Sequence, residues 1–201
     1  MNKHIKLYSF GDFDRSGKVR WTAEELGYEI EESRLKAPQQ RDEAYRVLNP
    51  YAQVPTAELE SKILLESTAI AVILAERHPE YGLIPATGDS RETFWQSLSI
   101  ASSTLEQLTV NYFVSKSGII DAAWMDLVGE PIAERLQVFA DSMPGMGYIC
   151  GDFSLADICA AYPLRIAVQA GLLKLEGRLE AYLGRLMTRP AASAARFFEG
   201  L

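Results

Sequence analysis

Two short stretches of the chain carry residues suited to holding a peptide by its backbone and by a carboxylate. Val54 precedes Pro55, and a proline whose preceding bond is cis can turn a strand outward, so that its N–H and C=O groups face a ligand. Glu66 and Ser67 stand directly before an apolar pattern of helical spacing. The start of a helix attracts a carboxylate, because its first N–H groups are unpaired and carry a partial positive charge.

Both stretches also have plain structural interpretations. Pro55 is equally suited to an ordinary trans bond at a sheet edge, and Ser67 can cap its helix without any ligand. Glu66 is the more informative residue, because a helix cap does not require it.

Other reactive residue types indicate structure rather than chemistry. Ser154 and Asp157 are spaced as a capping box at the start of a helix, which assigns them to folding. Cys150 and Cys159, with only two histidines in the chain, are too few and too widely spaced for a disulfide framework or a zinc site. We therefore expect no bound metal.

The elements that must position these residues follow from periodicity. Residues 4–10 and 28–32 alternate as strands on either side of a helix over 16–27, and the crossover rule makes these strands parallel. Residues 54–59 and 62–65 indicate a hairpin that turns at Glu60 and Ser61, and a helix follows from Ser67 to Arg77. The remaining helical patterns lie at 94–114, 122–141, 154–170 and 175–187.

A cluster of proline and glycine near residue 85 marks the boundary between two domains. We predict an α/β thioredoxin-like N-terminal domain (βαβ-ββα) over residues 1–79, a linker over 80–90 and an all-α helix bundle over 91–201.

The chain resembles glutathione S-transferases at three motifs whose spacing matches that family over nearly the whole sequence. These are residues 49–55 (NPYAQVP), 65–70 (LESTAI) and 151–158 (GDFSLADI). The resemblance implies that the backbone of Val54, before a cis Pro55, holds the cysteinyl part of glutathione, with Gln53 beside the ligand. It implies that Glu66 holds the γ-glutamyl ammonium and Ser67 the γ-glutamyl carboxylate.

The same resemblance implies conjugation of the glutathione thiolate to a small apolar electrophile, with glutathione as co-substrate and no other cofactor. The site must lower the thiol pKa from its free value of about 8.5. Phe13 stands where many relatives carry the activating hydroxyl. Ser16 is the first candidate for the group that activates the thiol, and Ser9 is the second. Arg15 would instead stabilise the thiolate by its charge. A structural role for Ser16 as a helix cap is an equal alternative to the catalytic one. The loop lacks cysteine, which disfavours thiol–disulfide exchange.

Two further functions stay open at this point. Phe13 and Ala52, where the family commonly has a hydroxyl residue and glycine, are compatible with a catalytically weak binding or regulatory protein of the same fold. A glutathione-dependent isomerase or peroxidase would use the same thiolate on another acceptor. We expect the pocket for the acceptor between the domains, where the apolar residues Tyr112 and Phe113 would face the sulfur.

Composition limits the partners. A net charge of -7 and the lack of a basic run exclude a nucleic-acid binder, which needs clustered Lys and Arg. No run of 18 apolar residues and no secretory pattern occur, so we expect no membrane partner and a cytoplasmic protein. A homodimer is implied by the resemblance alone.

Overall fold

The computed structural model describes residues 3–116 and 122–201. The chain forms two compact units, of which the first comprises Met1–Gly82 with Pro190–Glu199. The second comprises Leu83–Arg189 with Gly200–Leu201.

A mixed four-stranded sheet with helices forms the first unit, as the sequence predicts. Its elements in chain order are β1 (His4–Ser9), α1 (Ser16–Glu25), β2 (Glu29–Arg34), α2 (Glu43–Arg46), β3 (Thr56–Leu59), β4 (Lys62–Leu65) and α3 (Ser67–Glu76). The strand order is β2-β1-β3-β4. β1 pairs with β2 in parallel and with β3 antiparallel, and β4 pairs antiparallel with β3. The predicted βαβ unit and hairpin are both confirmed.

Alternation along β1 explains how the sheet is packed. Ile5 and Leu7 are fully buried, whereas their neighbours His4, Lys6 and Tyr8 are half exposed. Successive side chains of a strand point to opposite faces of the sheet. Helices α1 and α3 pack against each other. Glu60 and Ser61 turn the β3–β4 hairpin with φ values of +49° and +65°, the left-handed pair that a two-residue hairpin turn requires.

The second unit is built of helices in the part of it that the structure describes, as predicted, and a non-helical stretch with the isolated bridges Tyr148–Gly151 and Cys150–Asp152 precedes one of them. Its helices are α4 (Gly88–Ser99), α5 (Glu106–Ser115), α6 (Ala122–Asp141), α7 (Leu155–Ala170) and α8 (Gly177–Met187). A π-helical segment, Ile100–Leu105, joins α4 to α5. The sequence predicts one helix over 94–114 here, because an insertion of one residue into a helix changes the apolar spacing too little to be seen in the pattern.

The domain limits differ from the predicted ones in two places. α4 begins at Gly88, inside the predicted linker over 80–90. The last short helix, α9 (Pro190–Ala194), and the residues after it belong to the first unit rather than to the helical domain. The reason is aromatic packing: the fully buried ring of Trp21 lies 4.7 Å from that of Phe197, and burying such rings outweighs chain order.

No helix among residues 3–116 and 122–201 combines the length and apolar character needed to cross a bilayer.

Asp157 organises the start of α7, as the capping-box prediction states. Its carboxylate accepts hydrogen bonds from the backbone N–H groups of Ile149 (3.0 Å) and Ser154 (2.9 Å) and from the Tyr182 hydroxyl (2.8 Å). Burial raises the pKa of the Asp157 carboxyl, and the two backbone N–H groups offset part of that rise. The capping box therefore joins three segments of the second unit.

Asp157→Asn should lower the free energy of unfolding by about 3 kcal/mol, because an amide nitrogen would face a donor at a buried position. Ser154→Ala should cost about 1 kcal/mol. Urea unfolding followed by circular dichroism measures both. A change below about 0.5 kcal/mol in Asp157→Asn would show that the carboxylate network is dispensable.

Candidate functional site

The segment before β3 is held by a buried polar network. The backbone oxygen of Gln53 accepts hydrogen bonds from the Tyr45 hydroxyl and the Asn49 amide, each at 2.8 Å. The hydroxyl of Thr56 bonds to both of those groups, at 2.7 and 3.0 Å. Asn49 is only 3% exposed. The network therefore fixes the segment from Asn49 to Thr56 through the Gln53 oxygen and the Thr56 hydroxyl.

Val54 presents an open backbone at this place. Its N–H and C=O groups make no hydrogen bond with any residue that the structure describes. The Val54–Pro55 bond is cis, the geometry that the sequence analysis expects. An unpaired strand backbone can add an extended peptide by two hydrogen bonds.

Glu66 and Ser67 stand at the start of α3. Glu66 is the N-cap residue, with a φ of +66°, and its exposed carboxylate has no hydrogen bond or ion pair within the described residues. Ser67 is 4% exposed, and its hydroxyl likewise makes no hydrogen bond there. The helix therefore starts without a side-chain cap, so the interpretation of Ser67 as a plain cap is wrong.

The register of the sheet brings these stretches together. Thr56 pairs with Leu65 across β3 and β4, so Val54 and Glu66 emerge at the same end of this strand pair. Tyr8 pairs with Thr56 across β1 and β3, which places the loop after β1 at that end as well. The predicted site residues of the N-terminal half therefore lie at one end of the sheet.

The loop between β1 and α1 is shaped by Asp14. Its carboxylate accepts hydrogen bonds from the backbone N–H groups of Phe10 (2.5 Å), Gly11 (3.0 Å) and Ser16 (2.5 Å). It thereby satisfies one of the first N–H groups of α1 and folds the loop back onto the helix start.

The two predicted hydroxyls are not presented to solvent. Ser16 is fully buried, where its hydroxyl donates to the Gly11 oxygen at 3.3 Å and accepts from Arg20 at 2.8 Å. Ser9 is fully buried too and donates to Glu32 at 2.8 Å. Arg15 is half-buried at the N-cap position of α1. The preference for Ser16 as the activating group is therefore not supported by this geometry.

A cluster of charges lies behind the loop. Arg20 is 4% exposed and forms an ion pair of 2.5 Å with Glu32. Burial raises the pKa of the Glu32 carboxyl, but the hydrogen bond from Ser9 and the charges of Arg20 and Arg34 outweigh it, so the pKa lies below its ordinary value. Glu32 is therefore ionised at neutral pH.

Sequence reasoning missed the residues that support the site rather than face it. Asn49 lies inside the motif over residues 49–55, and Asp14 stands two residues before a helix start, close to the positions where aspartate commonly caps, so both residues carried a local signal. Nothing in the sequence distinguished Arg20 from other arginines. Among residues 3–116 and 122–201 there is no group of three His, Cys, Asp or Glu side chains placed to hold a metal ion.

Comparison with known proteins identifies what this arrangement resembles. The family model described as "Glutathione S-transferase, N-terminal domain" matches residues 7–82, which contain all the stretches above. Maleylacetoacetate isomerase of Dictyostelium discoideum is 32% identical over 111 residues, which are 53% of this chain and 50% of that protein. Glutathione S-transferase 3 of Zea mays is 29% identical over 165 residues, 76% of this chain and 73% of that protein. The chain thus spans about half the length of the first of these relatives.

Solved structures of glutathione transferases match the fold over nearly the whole chain. BphK, a bacterial GST solved as a ternary complex, has a TM-score of 0.83 and 26% identity over 98% of this chain and 100% of that chain. A glutathione transferase homolog from Sulfitobacter with bound glutathione has the same TM-score at 20% identity, over 96% and 97% of the two chains. At that identity the second likeness concerns the fold alone.

Ala52 has a φ of +55°, a left-handed conformation that costs any residue with a Cβ free energy. Ala52→Gly should therefore raise the free energy of unfolding by about 0.5 to 1 kcal/mol. Thermal unfolding measures the change. Ala44→Gly, at an exposed position of α2, is the control and should destabilise by about 1 kcal/mol. Destabilisation of both variants to the same extent would contradict the left-handed geometry.

Proposed function

We propose that this chain is a member of the glutathione S-transferase family, that it binds glutathione at the end of the sheet where Val54, Glu66 and Ser67 lie, and that the glutathione thiolate attacks a small apolar electrophile. The observation that carries the proposal is the register of β3. It sets the backbone of Val54, two residues before β3, near the Glu66 carboxylate and the Ser67 hydroxyl at a helix start, none of which is hydrogen-bonded among residues 3–116 and 122–201. These three groups match the amide, ammonium and carboxylate of one tripeptide.

Each part of the ligand has a partner of suitable chemistry. The N–H and C=O groups of Val54 would pair with the cysteinyl backbone, with Gln53 exposed beside it and Pro55 fixing the turn. The Glu66 carboxylate would hold the γ-glutamyl ammonium. The Ser67 hydroxyl and the first N–H groups of α3 would hold the γ-glutamyl carboxylate.

For thiol activation we favour Arg15 over Ser16 and Ser9. The two hydroxyls are fully buried and already bonded, so neither can donate to a sulfur without breaking a loop contact. Arg15 stands at the start of α1, where a guanidinium and the helix dipole would both stabilise a thiolate. The thiolate then attacks an electrophilic carbon, a C–S bond forms, and the leaving group departs with its electron pair.

A second candidate function is favoured by one relative. The Dictyostelium discoideum protein is named maleylacetoacetate isomerase. A thiolate that adds reversibly to a conjugated cis double bond permits rotation about the resulting single bond, and elimination returns the thiolate with the trans product. The same site would serve, with glutathione regenerated. The homodimer is a part of the proposal that rests on the family resemblance, whereas the cytoplasmic location and the metal-free mechanism rest on the residue pattern of the sequence.

The direct test is retention on immobilised glutathione, followed by assays with a chloro-nitro-aromatic and with maleylacetoacetate. Turnover of the aromatic supports the transferase, and turnover of maleylacetoacetate alone supports the isomerase. Binding without any turnover would favour a binding or regulatory protein, and peroxide reduction would favour a peroxidase. Failure to bind glutathione would refute the site.

Glu66→Ala should weaken glutathione binding about 10- to 100-fold, because a charge-assisted hydrogen bond to the ammonium is lost. Glu66→Gly should weaken binding to the same degree and yet be about 1 kcal/mol more stable than Glu66→Ala, since glycine removes the cost of the positive φ. Calorimetric titration and urea unfolding measure the two effects. Glu76→Ala, exposed at the other end of α3, is the control and should bind normally. Unchanged affinity in both Glu66 variants would remove this residue from the site.

Arg15→Gln should raise the thiol pKa of bound glutathione by about one unit, which lowers kcat/KM at pH 6.5 about tenfold. Ser16→Ala should instead lower the free energy of unfolding by about 1 to 2 kcal/mol, because Arg20 loses a buried partner. The pH dependence of kcat/KM separates the two roles. A raised thiol pKa in Ser16→Ala alone would restore Ser16 as the activating group.

A further inference from the structure

The C-terminal segment, residues 190–199, packs directly behind the loop that follows β1. Phe197 is fully buried against Trp21, and a Cβ atom added at Gly17 would lie 3.2 Å from Phe197 Cδ2. Such a contact is tighter than ordinary van der Waals packing, so a side chain at Gly17 would require Phe197 to shift by a few tenths of an ångström. The segment is therefore part of the packing of this loop and helix.

Arg20 connects the segment to the loop. Its guanidinium donates to the Gly11 oxygen at 2.9 Å, to the Ser16 hydroxyl at 2.8 Å and to the Ala195 oxygen at 3.3 Å. The same group is paired with Glu32 of β2. Because Arg20 is 4% exposed and its donors are distributed over three segments, movement of one segment would leave a buried donor without its partner.

Arg196 adds a second connection from the surface. One of its nitrogens lies 3.0 Å from the Asp12 carboxylate and 3.4 Å from the Glu32 carboxylate. Its side chain is 43% exposed, whereas those of Asp12 and Glu32 are 16% and 15% exposed. Arg34 contacts the same two carboxylates at 2.8 and 3.1 Å.

The charges in this cluster do not cancel. Arg20, Arg34 and Arg196 carry three positive charges against the two negative charges of Asp12 and Glu32, which leaves one positive charge; without Arg196 the sum is zero. The other charged groups of the loop, α1, β2 and the C-terminal segment lie outside these ion pairs; they are Asp14, Arg15, Lys18, Glu24, Glu25, Glu29, Glu31 and Glu199. Arg196 thus supplies the positive charge by which the five paired side chains exceed neutrality.

We infer that Arg196 is a positioning residue for the proposed thiol transfer: from the C-terminal segment it fixes the loop over residues 10–16 and keeps the surroundings of the thiol positive. This inference rests on the proposed function for its second half only. The position of the loop is a property of the protein without ligand, and can be measured even if glutathione does not bind.

The test compares Arg196→Gln with Arg196→Lys, which keeps the charge, and with Arg77→Gln. Arg77 forms a single exposed ion pair with Glu60 at 3.0 Å in the same unit, and therefore controls for the loss of a surface pair. Amide hydrogen exchange over residues 10–16 is measured without ligand. It should be about two- to fivefold faster in Arg196→Gln, and close to wild type in the other two variants.

The second measurement is the pH dependence of kcat/KM with glutathione and the chloro-nitro-aromatic. Arg196→Gln should raise the apparent thiol pKa by about 0.3 units, since the lost charge is partly screened, and Arg196→Lys should restore it. A loss of stability without a change in loop geometry or local charge would not produce this shift.

Three results would overturn the inference. Loop exchange in Arg196→Gln equal to wild type would refute the positioning role, whether or not the protein binds glutathione. Equal acceleration in Arg77→Gln would show a general loss of stability. An unshifted pH profile in an active Arg196→Gln enzyme would refute the charge effect. If the wild-type protein fails to bind glutathione, the proposed function fails while the exchange result still decides the position of the loop.

Discussion

The pairing of β3 with its two neighbours is the constraint on which the candidate site depends. Thr56 pairs with Tyr8 on one side and with Leu65 on the other. The segments before β3, after β4 and after β1 therefore lie at the same end of the sheet. A shift of one residue would reverse which side chains face the core, and the buried Ala57 and Leu59 resist that shift. Hydrophobic packing of the sheet therefore determines where the polar groups meet.

Two residues near this end of the sheet have backbone conformations that lower the free energy of unfolding. Ala52 and Glu66 both have positive φ without being glycine. Such positions commonly persist where the surrounding structure fixes them and the function uses them. Here the buried network of Tyr45, Asn49 and Thr56 fixes the first, and the connection between β4 and α3 fixes the second. Glu66 is the case in which stability and ligand binding are expected to oppose each other.

Buried charge explains why the loop after β1 has a defined shape. Asp14 satisfies three backbone N–H groups, and Arg20 joins the loop to β2 and to the C-terminal segment. Polar groups at low exposure must be paired, which makes such contacts specific as well as stabilising. The hydroxyls of Ser9 and Ser16 belong to this support, which explains why a candidate chosen by residue type was placed behind the loop rather than at its surface.

The sequence by itself determined the local elements and the resemblance to glutathione S-transferases. Strand alternation, helical spacing and turn residues predicted β1 to β4, α1 and α3, and the spacing of Ser154 and Asp157 predicted the capping box, because these signals depend on neighbours within a few positions. Only the tertiary structure decided that residues 190–199 belong to the first unit, that Ser16 is buried and that Arg20 is a central contact. Those facts depend on contacts such as Arg20 with Ala195, 175 positions apart in sequence, which no local pattern encodes.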